Sequence, residues 1–175
     1  YIDLLTKSAP LHDIGKVGIP DSILLKPGPL TPEEWTVMRT HPKLGSDAIE
    51  LAEADAEHPV AFLAVAKEIA HSHHEKWDGS GYPDSLKGDD IPVSARLMAL
   101  ADVFDALASR RVYKAAMPVD RAVEIIMEGR GKHFDPAVVD AFLAERKAFE
   151  DILARYADTE EVLEAKLARA RGEPK

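Results

Sequence analysis

Four of the seven histidines in this 175-residue chain stand where a metal cluster would need them. His12 is followed directly by Asp13, His73 is followed directly by His74, and His41 lies between the two pairs. Asp102 adds a carboxylate in the middle of the most apolar segment, where it is costly unless paired or bound to a cation. There is no cysteine. Any metal would therefore be held by nitrogen and oxygen, a donor set that suits Zn, Mn, Fe or Co.

Adjacent residues on a helix point about 100° apart, because a turn takes ~3.6 residues. A neighbouring pair thus reaches two adjacent ions, or one ion near a helix end, more readily than it chelates a single ion. Two such pairs with His41 and Asp102 describe a cluster. Asp13 is the natural bridge, since each carboxylate oxygen can take a different ion. Two ions roughly 3.5–4 Å apart activate a water and clamp both oxygens of a phosphoryl displacement. That chemistry needs no Ser or Cys nucleophile, and the chain has neither a G-x-S-x-G motif nor a P-loop. Taken singly, a helical histidine is more often a cap or a core residue than a ligand. Spacing by itself does not decide between the two.

The elements that must position these residues read as helices, so the expected fold class is all-α. Thr31-Pro32-Glu33-Glu34 is a capping box with Pro at the first helical position. Residues 41–53 form a second helix with Leu44, Ala48 and Leu51 on one face. Residues 59 to about 73 form a third, with Phe62, Val65, Ala66 and Ile69 at helical spacing. Pro92 opens a fourth, to about Ser109. It is apolar nearly all round (Leu97, Met98, Leu100, Val103, Phe104, Leu107) and is expected to be the central buried helix. Residues 119–128 give a fifth, and Asp135-Pro136 caps a sixth beginning with Val138, Val139 and Phe142. Residues 145–171 read as one long amphipathic helix, either packed on a partner or solvated. A short strand pair near residues 17–19 is the sole β signal. Residues 20–30 and 77–92 are loop-like, rich in Gly and Pro.

The bulk numbers bound the function class. The chain is long enough for one domain with a sizeable core. Its 22 Lys and Arg against 31 Asp and Glu leave a formal charge of −9. An acidic surface argues against a nucleic-acid polymer as partner. Divalent ions and a few local basic side chains can still invert the charge of one pocket. No apolar run reaches membrane-spanning length and no signal peptide is visible at Tyr1. The first residue is not Met and the sequence opens directly in a helical pattern, so the chain is expected to be a piece of a longer, cytoplasmic protein.

Leu11-His12-Asp13-Ile14-Gly15-Lys16 resembles the signature of the HD phosphohydrolase superfamily. His73-His74-Glu75-Lys76-Trp77-Asp78-Gly79-Ser80-Gly81-Tyr82-Pro83 resembles the extended signature of its HD-GYP branch. Ala101-Asp102-Val103-Phe104-Asp105-Ala106-Leu107 and Gly131-Lys132-His133-Phe134-Asp135-Pro136 resemble further blocks of that branch, in its order. The resemblance runs to about Leu143.

What it implies is a bacterial phosphodiesterase that opens cyclic di-GMP to linear pGpG, in some members on to GMP. The implied fold is an HD-domain helical bundle around a di- or trinuclear metal site. The implied ions are two or three divalent metals, Fe or Mn foremost, with Zn, Co or Ni as alternatives. By the motif match, His12 and Asp13 are ligands with Asp13 bridging, and His41, His73, His74 and Asp102 complete the set. Lys16 would place its ammonium on a phosphate oxygen, an electrostatic role beside Asp13 in catalysis. Arg111 and Lys114 match substrate-phosphate contacts, and Tyr82 either meets the substrate or builds a rigid loop. Glu75 and Asp78 would either orient the histidines or lie on the surface. His71, His58 and His133 are read as structural, and Asp105 as orienting or capping. The GYP loop is linked in this branch to contacts with GGDEF-type cyclases. An N-terminal receiver or sensory domain is implied, as in a two-component response regulator.

One departure stands out. The branch carries a further His, sometimes with a Glu, on a helix well upstream of the HD pair, whereas residues 1–11 hold neither. The expected organisation is an HD-GYP domain over 1–145, its first helix truncated, and a helical extension over 146–175 that would support a homodimer. Two other readings compete: a catalytically impaired module that binds cyclic dinucleotides or proteins, and a mononucleotide phosphohydrolase.

Overall fold

The computed structural model describes residues 1–58, 60–109 and 117–156. Among them the chain is all-α: α1 (Ile2–Ser8), α2 (Asp21–Leu24), α3 (Pro32–Met38), α4 (His41–Ala54), α5 (Ala61–Ser72), α6 (Val93–Ala108), α7 (Val119–Glu128), α8 (Pro136–Ala144) and α9 (Arg146–Tyr156). The starts follow the local chemistry. Thr31 Oγ1 accepts from the Glu34 amide and the Glu34 carboxylate accepts from the Thr31 amide, closing the capping box that opens α3. Asp135 accepts from the Ala137 amide at 2.8 Å and starts α8.

Two apolar cores lie on either side of the bundle. The larger packs Leu100 and Phe104 of α6 against Ala122, Val123 and Ile126 of α7 and Val138, Val139 and Phe142 of α8, with Phe149 and Leu153 of α9 on its flank. Phe104, Phe142 and Phe149 meet edge to face, with centroids 4.9–5.5 Å apart. The smaller packs Ile49 of α4 on Ala66 and Ala70 of α5, with Leu11 and Leu63 beside them. Small side chains there let α4 and α5 approach closely, and the site is built at that junction.

Several expectations change. The face of α4 carrying Leu44, Ala48 and Leu51 is the exposed one, with Leu51 70% accessible; His41, Pro42, Gly45, Ser46 and Ile49 are buried instead. The reason is that α4 must present its small residues to α5 and to the HD turn. Helix α6 is central but not buried all round, since Val93 and Leu97 remain exposed along one edge. Residues 17–19 form no strand: Ile14–Gly18 is a 3-10 turn. The sole β pairing among the described residues is an isolated bridge between Arg130 and Phe134. The long C-terminal helix is described to Tyr156, and the rest of the 146–175 extension lies outside the described residues.

Candidate metal centre

Each histidine of the cluster is aimed by its own backbone. His12 ends the 3-10 turn Ala9–Leu11 and its Nδ1 donates to the Ala9 carbonyl at 2.8 Å. His41 opens α4 and its Nδ1 donates to the Met38 carbonyl at 2.8 Å. His73 closes α5 and its Nδ1 donates to the Ile69 and Ala70 carbonyls at 3.0 and 3.1 Å. A carbonyl can only accept, so in all three rings Nδ1 carries a proton, and whenever the ring is neutral Nε2 presents a lone pair. The three Nε2 atoms turn inward on Asp13. Its Oδ1 lies 3.4 Å from His41 Nε2 and 3.7 Å from His73 Nε2, and its Oδ2 lies 3.3 Å from His12 Nε2. His74 Nε2 stands 3.1 Å from His41 Nε2.

The arrangement needs a cation to be complete. Asp13 Oδ1 and His73 Nε2 are buried without any hydrogen-bond partner, a state that costs free energy unless something else binds them. Both are acceptors, so they cannot satisfy each other. Donor atoms of Asp13, His41, His73 and His74 all lie within 4.8 Å of one another. Neutral imidazoles and a carboxylate around one point fit a divalent transition metal.

The electrostatics agree. Burial pushes the Asp13 carboxyl up, but contacts with His12, His73 and Lys16 outweigh it and hold the group well below the usual carboxylate range. The hydrogen bond to Asp13 raises His12. Burial lowers His41, and burial together with the neighbouring histidines lowers His74 to about 2. Both shifts favour the neutral imidazole, which is the form that binds a cation.

Two glycines make the geometry sterically feasible. A Cβ on Gly15 would fall 2.0 Å from the His41 carbonyl oxygen and 2.4 Å from the Gly45 amide, so the HD turn can press on the start of α4 only without a side chain there. A Cβ on Gly81 would fall 2.3 Å from the Lys76 amide, so the GYP loop can fold back on residues 75–76 for the same reason.

The remaining sequence candidates divide. Asp102 lies on α6 with Oδ1 4.0 Å from His12 Nε2, at the edge of the cluster, and is 31% exposed; its face of α6 opens toward the site, so the burial expected for it is not found. Lys16 Nζ donates to Asp13 Oδ2 at the rim. The Tyr82 ring stacks on His74, with centroids 4.9 Å apart, and burial pushes its hydroxyl up to about 12. Arg111 and Lys114 lie outside the described residues.

Among the described residues Glu75 and Asp78 bond backbone amides rather than a histidine. Glu75 is 2% exposed and accepts from the Asp84 and Leu86 amides at 2.7 and 3.1 Å, anchoring the GYP loop, while Asp78 accepts from the Ser80 amide within a turn. His58 is exposed, and His133 stacks on Phe134 in the loop before α8. Asp105 accepts from the Ser109 hydroxyl at the end of α6. Arg39 was not singled out by sequence reasoning. The α3–α4 turn carries its guanidinium to 5.3 Å from the Tyr82 ring centroid, a long-range pairing that no local motif marks.

A family model for the HD domain matches residues 4–138. A protein of Vibrio cholerae serotype O1 named a probable cyclic di-GMP phosphodiesterase is 63% identical over 93% of this chain and 37% of its own length. The response regulator RpfG of Xanthomonas campestris pv. campestris, named a cyclic di-GMP phosphodiesterase, is 46% identical over 89% of this chain and 39% of its own. A Vibrio cholerae phosphodiesterase named as specific for 3'3'-cGAMP is also 46% identical, over 89% of this chain. The chain thus spans about a third of the length of these relatives. Among solved structures, a cyclic GMP-AMP phosphodiesterase of Vibrio cholerae superposes with a TM-score of 0.59 at 18% identity, covering 98% of this chain and 43% of that one. At that identity the likeness concerns the fold alone.

Proposed function

We propose, from the premise that this chain belongs to the HD domain family, that it is the metal-dependent phosphodiesterase domain of a longer signalling protein and hydrolyses cyclic di-GMP to linear pGpG, GMP or both. The observation that carries the reading is the convergence of histidine side chains on a buried, partnerless oxygen of Asp13. Substrate choice leans on identity: relatives named for cyclic di-GMP reach 63%, and relatives named for cGAMP reach 46%.

His12, Asp13, His41, His73, His74 and Asp102 would hold two or three divalent ions, Fe or Mn first and Zn, Co or Ni as alternatives. Such ions would polarise the phosphoryl oxygens and make a water nucleophilic at neutral pH. The chain's own side chains do the rest. Asp13, kept ionised, would offer its carboxylate to the ions. Lys16, paired with it at the rim, is placed to neutralise charge growing on a phosphate oxygen. Tyr82 and Arg39 wall the site beside His74 and restrict how a ligand enters. Arg111 and Lys114 are assigned to the second phosphate on the family resemblance.

Further parts of the proposal concern the whole protein. An N-terminal receiver or sensory domain, a homodimer supported by the extension over 146–175, GGDEF-type partners at the GYP loop and a cytoplasmic setting all fit the reading. Among the described residues no helix is long and apolar enough to cross a membrane. The HD-GYP unit is assigned to 1–145, although Phe149 and Leu153 of α9 pack on its core.

The test is direct. The chain loaded with Mn or Fe is given cyclic di-GMP, 3'3'-cGAMP and a mononucleotide, and the products are separated by chromatography. Linear product from cyclic di-GMP, lost in Asp13→Ala and His74→Ala, supports the proposal. Full turnover in either variant refutes the assignment of the site.

A further inference from the structure

His71 lies outside the metal cluster, and its ring joins three elements. Its Nε2 donates to Asp84 Oδ2 at 2.8 Å, in the loop that follows Tyr82-Pro83. Its Nδ1 faces the Ser46 hydroxyl of α4 at 3.0 Å, and Ser46, itself buried, also bonds the Lys43 carbonyl. A carboxylate can only accept, so Nε2 carries a proton toward Asp84, and the Ser46 hydroxyl, which can donate or accept, meets Nδ1. Asp84 is held from a second side: its amide donates to buried Glu75 at 2.7 Å, and the Leu86 amide donates to the same carboxylate. One residue before Pro83, the Tyr82 amide donates to the His74 carbonyl at 3.3 Å and the Tyr82 ring lies on the His74 imidazole.

We infer that His71 is a positioning residue that ties the exit of the GYP loop to α4 and α5, and so holds the Tyr82 ring against His74. The argument is geometric. Glu75 fixes the height of the loop over residues 74–76, but its bonds go to backbone amides, and a peptide segment held at its amides can still slide along the helix pair. The His71–Asp84 bond adds a side-chain anchor on the other side of Asp84. Its partner Ser46 lies on the helix that begins with His41. The same helix thus supplies a metal-site histidine at its start and a loop anchor one turn later. Moving the loop then moves Tyr82 relative to a frame that also carries His41 and His74. The kinetic consequence rests on the proposed phosphodiesterase reading; the structural one does not.

Two arms test this on the intact chain. In the first, amide hydrogen exchange is followed across residues 78–86 in the wild type, His71→Leu and His71→Gln. Gln can return an N–H to Asp84 near the position of Nε2, and Leu cannot. The Asp84 carboxylate is half exposed, which screens the pair, so the expected effect is modest: exchange about threefold faster or more in His71→Leu, restored toward wild type in His71→Gln, with α7 and α8 unchanged. Unchanged exchange in the Leu variant, a rise spread equally over α7 and α8, or no rescue by Gln would each overturn the inference. In the second arm, turnover of cyclic di-GMP is measured in a double-mutant cycle with Tyr82→Ala. If His71 acts through Tyr82, His71→Leu lowers kcat/KM in the wild type and adds nothing in the Tyr82→Ala background. Equal losses in both backgrounds overturn it. A chain inactive on every cyclic dinucleotide defeats the phosphodiesterase reading, and the exchange arm still decides the role of His71.

Discussion

Gly15→Ala should separate the metal centre from its support without touching a ligand. The added methyl carbon would sit 2.0 Å from the His41 carbonyl oxygen and 2.4 Å from the Gly45 amide nitrogen, both backbone atoms of α4. An ordinary carbon–oxygen contact begins at about 3.3 Å, so the HD turn must retreat by roughly 1.3 Å. Asp13 rides on that turn, and its Oδ1 now lies 3.4 Å from His41 Nε2. The displacement is therefore a large fraction of the spacing that defines the site. Overpacking of this kind costs about 1–3 kcal/mol of stability. A misplacement of about 1 Å at reacting groups costs on the order of 100-fold in rate. Gly18→Ala is the control on the same turn, because its methyl meets only the tip of the Leu44 side chain, at 3.0 Å. It should stay within about 0.5 kcal/mol of the wild type. Urea unfolding gives the stability and titration calorimetry with Mn gives the affinity. A Gly15→Ala chain as stable as Gly18→Ala, with unchanged Mn affinity, would refute the claim that close approach of the HD turn to α4 builds the site.

Other outcomes follow from the same geometry. Removing divalent ions with a chelator should lower the thermal midpoint, and Mn should restore it in a concentration-dependent way, because the ion binds only the assembled site. Asp13→Asn should weaken Mn binding by at least about 100-fold, since even partners one step removed from a metal are worth 10–100-fold. Acidifying the metal-free chain should destabilise it through His41 and His74. Their pKa values are lowered on folding, so their contribution is intact above about 6.5 and fades as pH falls toward the folded values, about 2 for His74. His12, raised by Asp13, works in the opposite sense, so the clean measurement is urea unfolding of the wild type against His74→Gln between pH 7 and pH 5: the wild type should lose more. Arg96→Ala should cost about 2–3 kcal/mol by urea unfolding, because this nearly buried guanidinium bonds the Ile91 carbonyl, Asp89 and the buried Asp135.

The local signals in the sequence translate faithfully into structure. The capping box at Thr31 and the Asp135-Pro136 start both operate as hydrogen bonds to the first turn, because such signals act within four residues and need no partner from elsewhere. The inward-facing side of α4 was misjudged for the complementary reason. Periodicity ranks faces by apolarity, whereas α4 buries His41, Gly45 and Ser46 so that the HD turn and α5 can come close. Glu75 shows the same limit. Its place next to two histidines left it either orienting them or lying on the surface, yet it is buried and its carboxylate turns to two amides beyond Pro83, which lie near only once the GYP loop has folded back.

The metal cluster divides along this line. Residue type and pairing are properties of the chain; together with the motif resemblance they pointed to His12, Asp13, His41, His73 and His74 as candidate donors. Whether the donors share one point is set by helix packing. The contact of Gly15 with the start of α4 brings Asp13 to His41, and the end of α5 brings His73 and His74 to both. Asp102 illustrates the difference, since the sequence placed it in an apolar helix and the fold leaves it partly exposed at the margin of the cluster. The anchoring of Tyr82 by Ser46, His71 and Asp84 belongs wholly to the tertiary structure. Those side chains come from α4, α5 and a loop, and no spacing along the chain brings them within hydrogen-bond distance.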